Sequence, residues 1–212
     1  MKGRPRILPT WLQEWSTWFT SCLLVLVTLT ATISPKLPSW TVRIYFAAEL
    51  VATVVLETAR HLPIAFDTDG YRILYCIMLT PVRLLACTIA WRESRWMALA
   101  GIPLGMGLLR FAVHGITPTL DQWILITDGV IVTSAGLGLA FSAAFSPYRH
   151  VYATLTILWM LLGLFDFGYA LQPYGRWREL NDSLLPVMVI GAFGWITFKA
   201  GGRRIASQPS RS

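Results

Sequence analysis

The run Trp123–Phe145, WILITDGVIVTSAGLGLAFSAAF, decides the fold. It carries a single charge, Asp128, and its apolar residues are continuous rather than alternating. A helix needs about 20 mostly apolar residues to cross the hydrocarbon layer of a bilayer. A barrel strand alternates with a period of two, and backbone groups in lipid must be satisfied internally. The run therefore reads as a membrane-spanning helix. Comparable runs precede it at Trp15–Ile33, Val42–Ala59, Tyr71–Trp91 and Trp96–Val113, and follow it at Val151–Leu171 and Leu184–Lys199. The sequence predicts an all-α polytopic transmembrane helix bundle of about seven spans with short loops.

Composition agrees. Hydrophobic residues make up 55% of the 212 and mean hydropathy is +0.55. Charged residues are only 14%, against about 25% in a soluble domain. No segment between the runs is large enough for a kinase, phosphotransfer or nucleotide-binding domain, and no P-loop is present. We expect one domain over residues 1–200, opening with an interfacial lead over 1–14, and a basic flexible tail over 201–212. Lys2, Arg4 and Arg6 precede the first run as they would in a signal peptide, but Ser34-Pro35-Lys36 ends it without a small-residue cleavage site, so we expect it to be retained. Trp11, Trp15 and Trp18 lie at helical spacing, which leaves an interfacial first segment, and so six spans, as the alternative.

Seven crossings put the termini on opposite faces. One face holds Lys36, Arg43, Arg92, Arg95, Arg149, Lys199, Arg203, Arg204 and Arg211. The other holds Arg60, Arg72, Arg176 and Arg178 beyond the basic N-terminal trio. Basic loops stay cytoplasmic, which places the C-terminus in the cytoplasm and the N-terminus outside, in a plasma (inner) membrane. The tail arginines suit an anionic leaflet rather than nucleic acid. Trp15, Trp40, Trp91, Trp96, Trp123 and Trp177 fall near run ends, where indole favours the headgroup region.

The connections are short. Arg92–Arg95 and Ser146–Tyr148 fit tight hairpins, and His61–Gly70 and Gln172–Ser183 are the longest loops. Asp67-Thr68-Asp69-Gly70 has the start of a calcium loop but runs straight into an apolar span, so it reads as a solvated turn. Cys22, Cys76 and Cys87 all fall within spans and form no redox motif. Pro81, Pro103 and Pro186 interrupt helical hydrogen bonding. Gly101, Gly105, Gly107, Gly136, Gly138, Gly191 and Gly194 are expected to let helices approach closely.

Function is sought in the charges inside the spans. Each costs about 2.5–3.5 kcal/mol on insertion scales, so it faces the bundle interior or a cavity. Counted from span ends, Glu57, Arg110, Asp128 and Asp166 share one depth near the outer face. Glu49 and Arg83 lie deeper, near the middle of adjacent antiparallel spans. Glu49 and Glu57 are eight residues apart, about 80° around a helix, so both can face inward. The expectation is an outward-facing polar vestibule of Glu57, Arg110, Asp128 and Asp166 floored by a Glu49–Arg83 pair. The bland alternative is a set of salt bridges that lock the bundle. Three carboxylates against one arginine at that depth leave a surplus that must be protonated, hydrated or paired with an incoming group.

Enzyme readings fare poorly. Asp128 and Asp166 lie on consecutive spans, but the Gly-x-Gly-Asp and Pro-Ala-Leu motifs of intramembrane aspartyl proteases are missing. No histidine lies within a span to serve a rhomboid-type serine, and Lys199 sits at the end of its span rather than at a retinal-bearing middle position. His61 and His114 also sit at helix ends, which does not suit haem. We expect no catalytic residues, metal or cofactor. The expected function is binding, sensing or permeation of an ion, proton or small polar solute, with the lipid bilayer as partner. The alternative is a non-catalytic accessory or structural subunit of a larger membrane assembly.

Overall fold

A computed structural model describes residues 10–35, 37–61, 68–93, 95, 106–107, 110, 119–171 and 176–201. Among the described residues the chain is all-helical. Six helices follow in order: α1 Thr10–Ile33, α2 Trp40–His61, α3 Thr68–Glu93, α4 Leu120–Phe145, α5 Arg149–Leu171 and α6 Arg176–Gly201. Most of the expected fourth span, residues 1–9 of the expected 1–14 lead and the tail beyond 201 lie outside the described residues, and residues 10–14 of that lead belong to α1.

Three helical stretches are long and apolar enough to cross a membrane: Ile73–Glu93, Gln122–Phe145 and Arg149–Gly168. Trp18–Ile33 and Leu184–Lys199 are shorter apolar stretches. The expectation of seven is thus met only in part. Helix α2 spreads Arg43, Glu49, Glu57 and Arg60 along its 22 residues, whereas α3 gathers its charges at its ends and leaves Arg83 alone in the stretch 73–90.

Two expected loops shrink. Helix α3 begins at Thr68, and α6 begins at Arg176 rather than at Leu184. Trp177, Leu180 and Leu184 recur at helical spacing through a charged segment, a period that mean hydropathy hides. Pro81 and Pro186 both lie inside continuous helices.

Local sequence sets the helix starts. Ser39 Oγ accepts from the Val42 amide at 3.3 Å and caps α2. Thr119 and Gln122 form a reciprocal capping box at the head of α4. The Thr119 amide donates to Gln122 Oε1 at 2.9 Å, and the Gln122 amide donates to Thr119 Oγ1 at 3.4 Å. The Ser146-Pro147-Tyr148 turn joins α4 to α5, with the Arg149 amide donating to the Ser146 carbonyl at 3.0 Å.

Each helix packs chiefly on two neighbours, in the order α1, α2, α3, α4, α5, α6 and back to α1, so the six close into a ring. Tyr45, Phe46, Trp159 and Phe193 fill its interior and are fully buried. Their rings meet edge to face, with centroids 5.5 Å apart for Tyr45–Trp159 and 4.9 Å for Phe46–Phe193. Outside, Leu26, Val51, Ile77, Ile157, Leu164 and Val187 are exposed. Apolar side chains outward with charged ones inward is the arrangement lipid imposes.

The α4–α5 contact is the most extensive, because glycines thin it. A Cβ on Gly129 would lie 3.1 Å from the Gly163 carbonyl oxygen, and one on Gly136 3.2 Å from that of Thr156. A Cβ on Gly163 would collide with Thr133 Oγ1. Gly191 and Gly194, expected to pack, have nothing within 4 Å of such a Cβ; within the described structure α6 does not use them for close approach.

Candidate functional site

Two contacts fix the relative height of α4 and α5. One is the close approach of Gly129 to Gly163. The other is Gln122 Nε2, which donates to the Ala170 carbonyl at 2.8 Å. Asp128 lies six residues below Gln122, about 9 Å along its helix, and Asp166 four below Ala170, about 6 Å. The two carboxyl groups therefore sit at similar depth on touching helices. A Cβ on Gly129 would stand 3.3 Å from the Asp166 Cβ, so the glycine beside Asp128 is what admits Asp166 to the seam.

Arg83 reaches this pair from α3. Its Nε donates to Asp128 Oδ1 at 2.6 Å and its Nη2 to Asp128 Oδ2 at 2.8 Å. This is a planar two-point pairing of guanidinium and carboxylate. Both side chains are about nine-tenths buried, at 9% and 11% exposure. Asp166 faces both Asp128 and Arg83. It is 9% exposed, and its Oδ2 makes no hydrogen bond among the described residues.

Glu49 enters from α2. One turn away on that helix, the Tyr45 hydroxyl donates to Glu49 Oε1 at 2.8 Å. Trp159 Nε1 of α5 donates to the Tyr45 oxygen at 2.9 Å. Glu49 also feels the charges of Arg83 and Asp128. A polar chain therefore runs from Trp159 through Tyr45 to Glu49, and by charge alone to Arg83, Asp128 and Asp166. The Tyr45, Phe46, Trp159 and Phe193 rings pack edge to face on one another.

A cavity of about 440 Å³ opens between α3 and α4 with Arg83 and Asp128 on its wall. Tyr75, Thr80, Trp123 and Thr127 add polar edges to an otherwise apolar lining. That volume falls in the range of small-ligand pockets. Asp166 does not line it. Among the described residues, no group of three or more histidine, cysteine or acidic side chains is placed to hold a metal ion.

Four of the six expected site residues, Glu49, Arg83, Asp128 and Asp166, converge. The pairing within them differs from expectation: Arg83 forms its ion pair with Asp128, and Glu49 takes Tyr45. Glu57 lies at the α1–α2 contact, where Ser21 Oγ donates to its Oε2 at 2.5 Å. Arg110 is helical and exposed. Sequence reasoning passed over Tyr45, Trp159, Gly129 and Gly163. The signals were the four-residue spacing of Tyr45 and Glu49, and glycines adjacent to Asp128 and three residues before Asp166. No protein family, curated protein or solved structure matches this chain.

Proposed function

We propose that the chain is a polytopic membrane protein that binds, senses or permeates an ion, proton or small polar solute at the Arg83, Asp128 and Asp166 cluster. One observation supports the reading: a buried carboxylate oxygen of Asp166 without a hydrogen-bond partner among the described residues, beside an arginine already committed to Asp128. A bundle that needed only an ion-pair lock would gain nothing from that second acid, since an unpaired buried charge is costly. The about 440 Å³ cavity gives the ion pair an approach from between α3 and α4. The full reading has about seven spans, the N-terminus outside and the C-terminus in the cytoplasm of a plasma membrane. It draws on the apolar runs and on the excess of arginine and lysine on one face.

The test uses purified full chain in detergent and in vesicles. Melting temperature is followed against sodium, potassium, calcium, ammonium and proton concentration, and flux of the same ions is followed with entrapped dyes. Wild type responds to at least one of them and Asp166→Asn does not, while both elute as folded protein. Identical behaviour of wild type and D166N across the panel refutes the site.

The accessory-subunit reading has one observation of its own, the open Gly191 and Gly194 positions on α6. A second transmembrane helix packs closely against such a face. Gentle extraction from the native membrane followed by mass measurement decides it: a single-chain mass counts against this reading.

A further inference from the structure

The identity of the occupant follows from charge and space, given the reading of the cluster as a binding site. We propose that it is a proton, bound by Asp166 beside the Arg83–Asp128 pair.

Charge is the first ground. Glu49, Asp128 and Asp166 meet one guanidinium, and two nitrogens of that guanidinium are spent on Asp128. An anion would add to the surplus of negative charge, so the occupant is a cation. Space is the second. Asp166 lies on the glycine seam, where a single added Cβ at Gly163 would fall 2.8 Å from the Gly129 carbonyl oxygen. A hard metal cation demands about six or more oxygen ligands, and the described residues offer no three-ligand cluster. A proton needs one oxygen and no volume. The third ground is Asp166 Oδ2 itself, buried and without a hydrogen bond among the described residues.

The step balances simply. A hydronium ion in the cavity gives up one proton, an O–H bond forms on Asp166, and neutral water stays behind. Asp128 lines the cavity and faces Asp166, which gives the proton a route past its carboxylate. The groups facing Asp166 are Asp128 from α4 and Arg83 from α3. Glu49 of α2 interacts with both of those. On α6 the only titratable group among the described side chains is Lys199, whose Nζ lies over the Trp195 ring at 4.6 Å.

Infrared difference spectroscopy on the full chain in phosphatidylethanolamine–phosphatidylglycerol vesicles reads the proton directly. Wild type is expected to show the carbonyl band of a protonated carboxylic acid whose amplitude changes with pH and not with added sodium, potassium or calcium. D166N abolishes that band and E57Q keeps it. Carbon-13-labelled aspartate shifts the band in wild type, which keeps the assignment testable if D166N does not fold. A band that survives in D166N, is unmoved by labelled aspartate, or is displaced by a metal cation overturns the proposal. A metal-dependent melting shift lost in D166N without any acid band removes the proton and leaves the binding site. Absence of both removes both.

Discussion

Replacing Arg83 with glutamine tests the electrostatic core most severely. Arg83 is the only cation among the described residues facing the cluster, and its removal leaves Asp128, Asp166 and Glu49 with no positive charge between them. Breaking a buried ion pair by deleting one partner costs about 3–5 kcal/mol, which is at least two powers of ten in the folded-to-unfolded ratio. Deleting the other partner is not equivalent. In Asp128→Asn the guanidinium still has Asp166 and Glu49 beside it, so the loss is about 1.5–3 kcal/mol, the worth of a charged hydrogen bond. The double variant R83Q/D128N removes the penalty of a stranded Asp128, so it is expected to fall short of the sum of the singles by about 1–3 kcal/mol. Unfolding in mixed micelles, followed by the fluorescence of the ten tryptophans, measures all four proteins. If R83Q costs under about 1 kcal/mol, or if the two single losses simply add, the pairing does not hold the bundle as described.

Two glycine substitutions contrast a tight seam with an open face. Gly163→Ala drives a methyl group against Thr133 and the Gly129 carbonyl and is expected to cost about 1–3 kcal/mol, whereas Gly191→Ala meets nothing and should gain about 0.5–1 kcal/mol of helix stability; the same unfolding assay ranks them, and the reverse order refutes the α4–α5 packing. Trp159→Phe keeps the ring beside Tyr45 but removes the donor to its hydroxyl, for a loss of about 1–3 kcal/mol including the unfilled volume. Tyr45→Phe in the W159F background should then cost less than in wild type, and equal costs in both backgrounds argue against the three-residue chain.

Sequence was informative where one physical constraint acted alone. Lipid tolerates only internally bonded backbone and few charges, so continuous apolar runs marked the α3, α4 and α5 helices, and the three-residue Ser146–Tyr148 link required α4 and α5 to pair. It was informative about depth too, since Asp128 and Asp166 could be levelled by counting residues from span ends. It failed on partners, because depth says nothing about azimuth. Glu49 and Arg83 were matched in height, yet Arg83 meets Asp128 of α4 and Glu49 takes Tyr45 on its own helix. Glu57 shows the same limit: its height suited the vestibule, but α1 supplies Ser21 on that side of α2. The α6 start was lost for a different reason, since helical period persists through Arg176–Asp182 while hydropathy does not. The consequence for the site is specific. Glycine 129 sits one residue from one acid and glycine 163 three residues from the other, so the residues that bring two like charges together are those with no side chain. Like charges on a buried seam are held there only by something that neutralises one of them, and Arg83 is already bound to Asp128. Among the described residues that leaves Asp166 without a cation of its own, which is why the proposed proton is placed there.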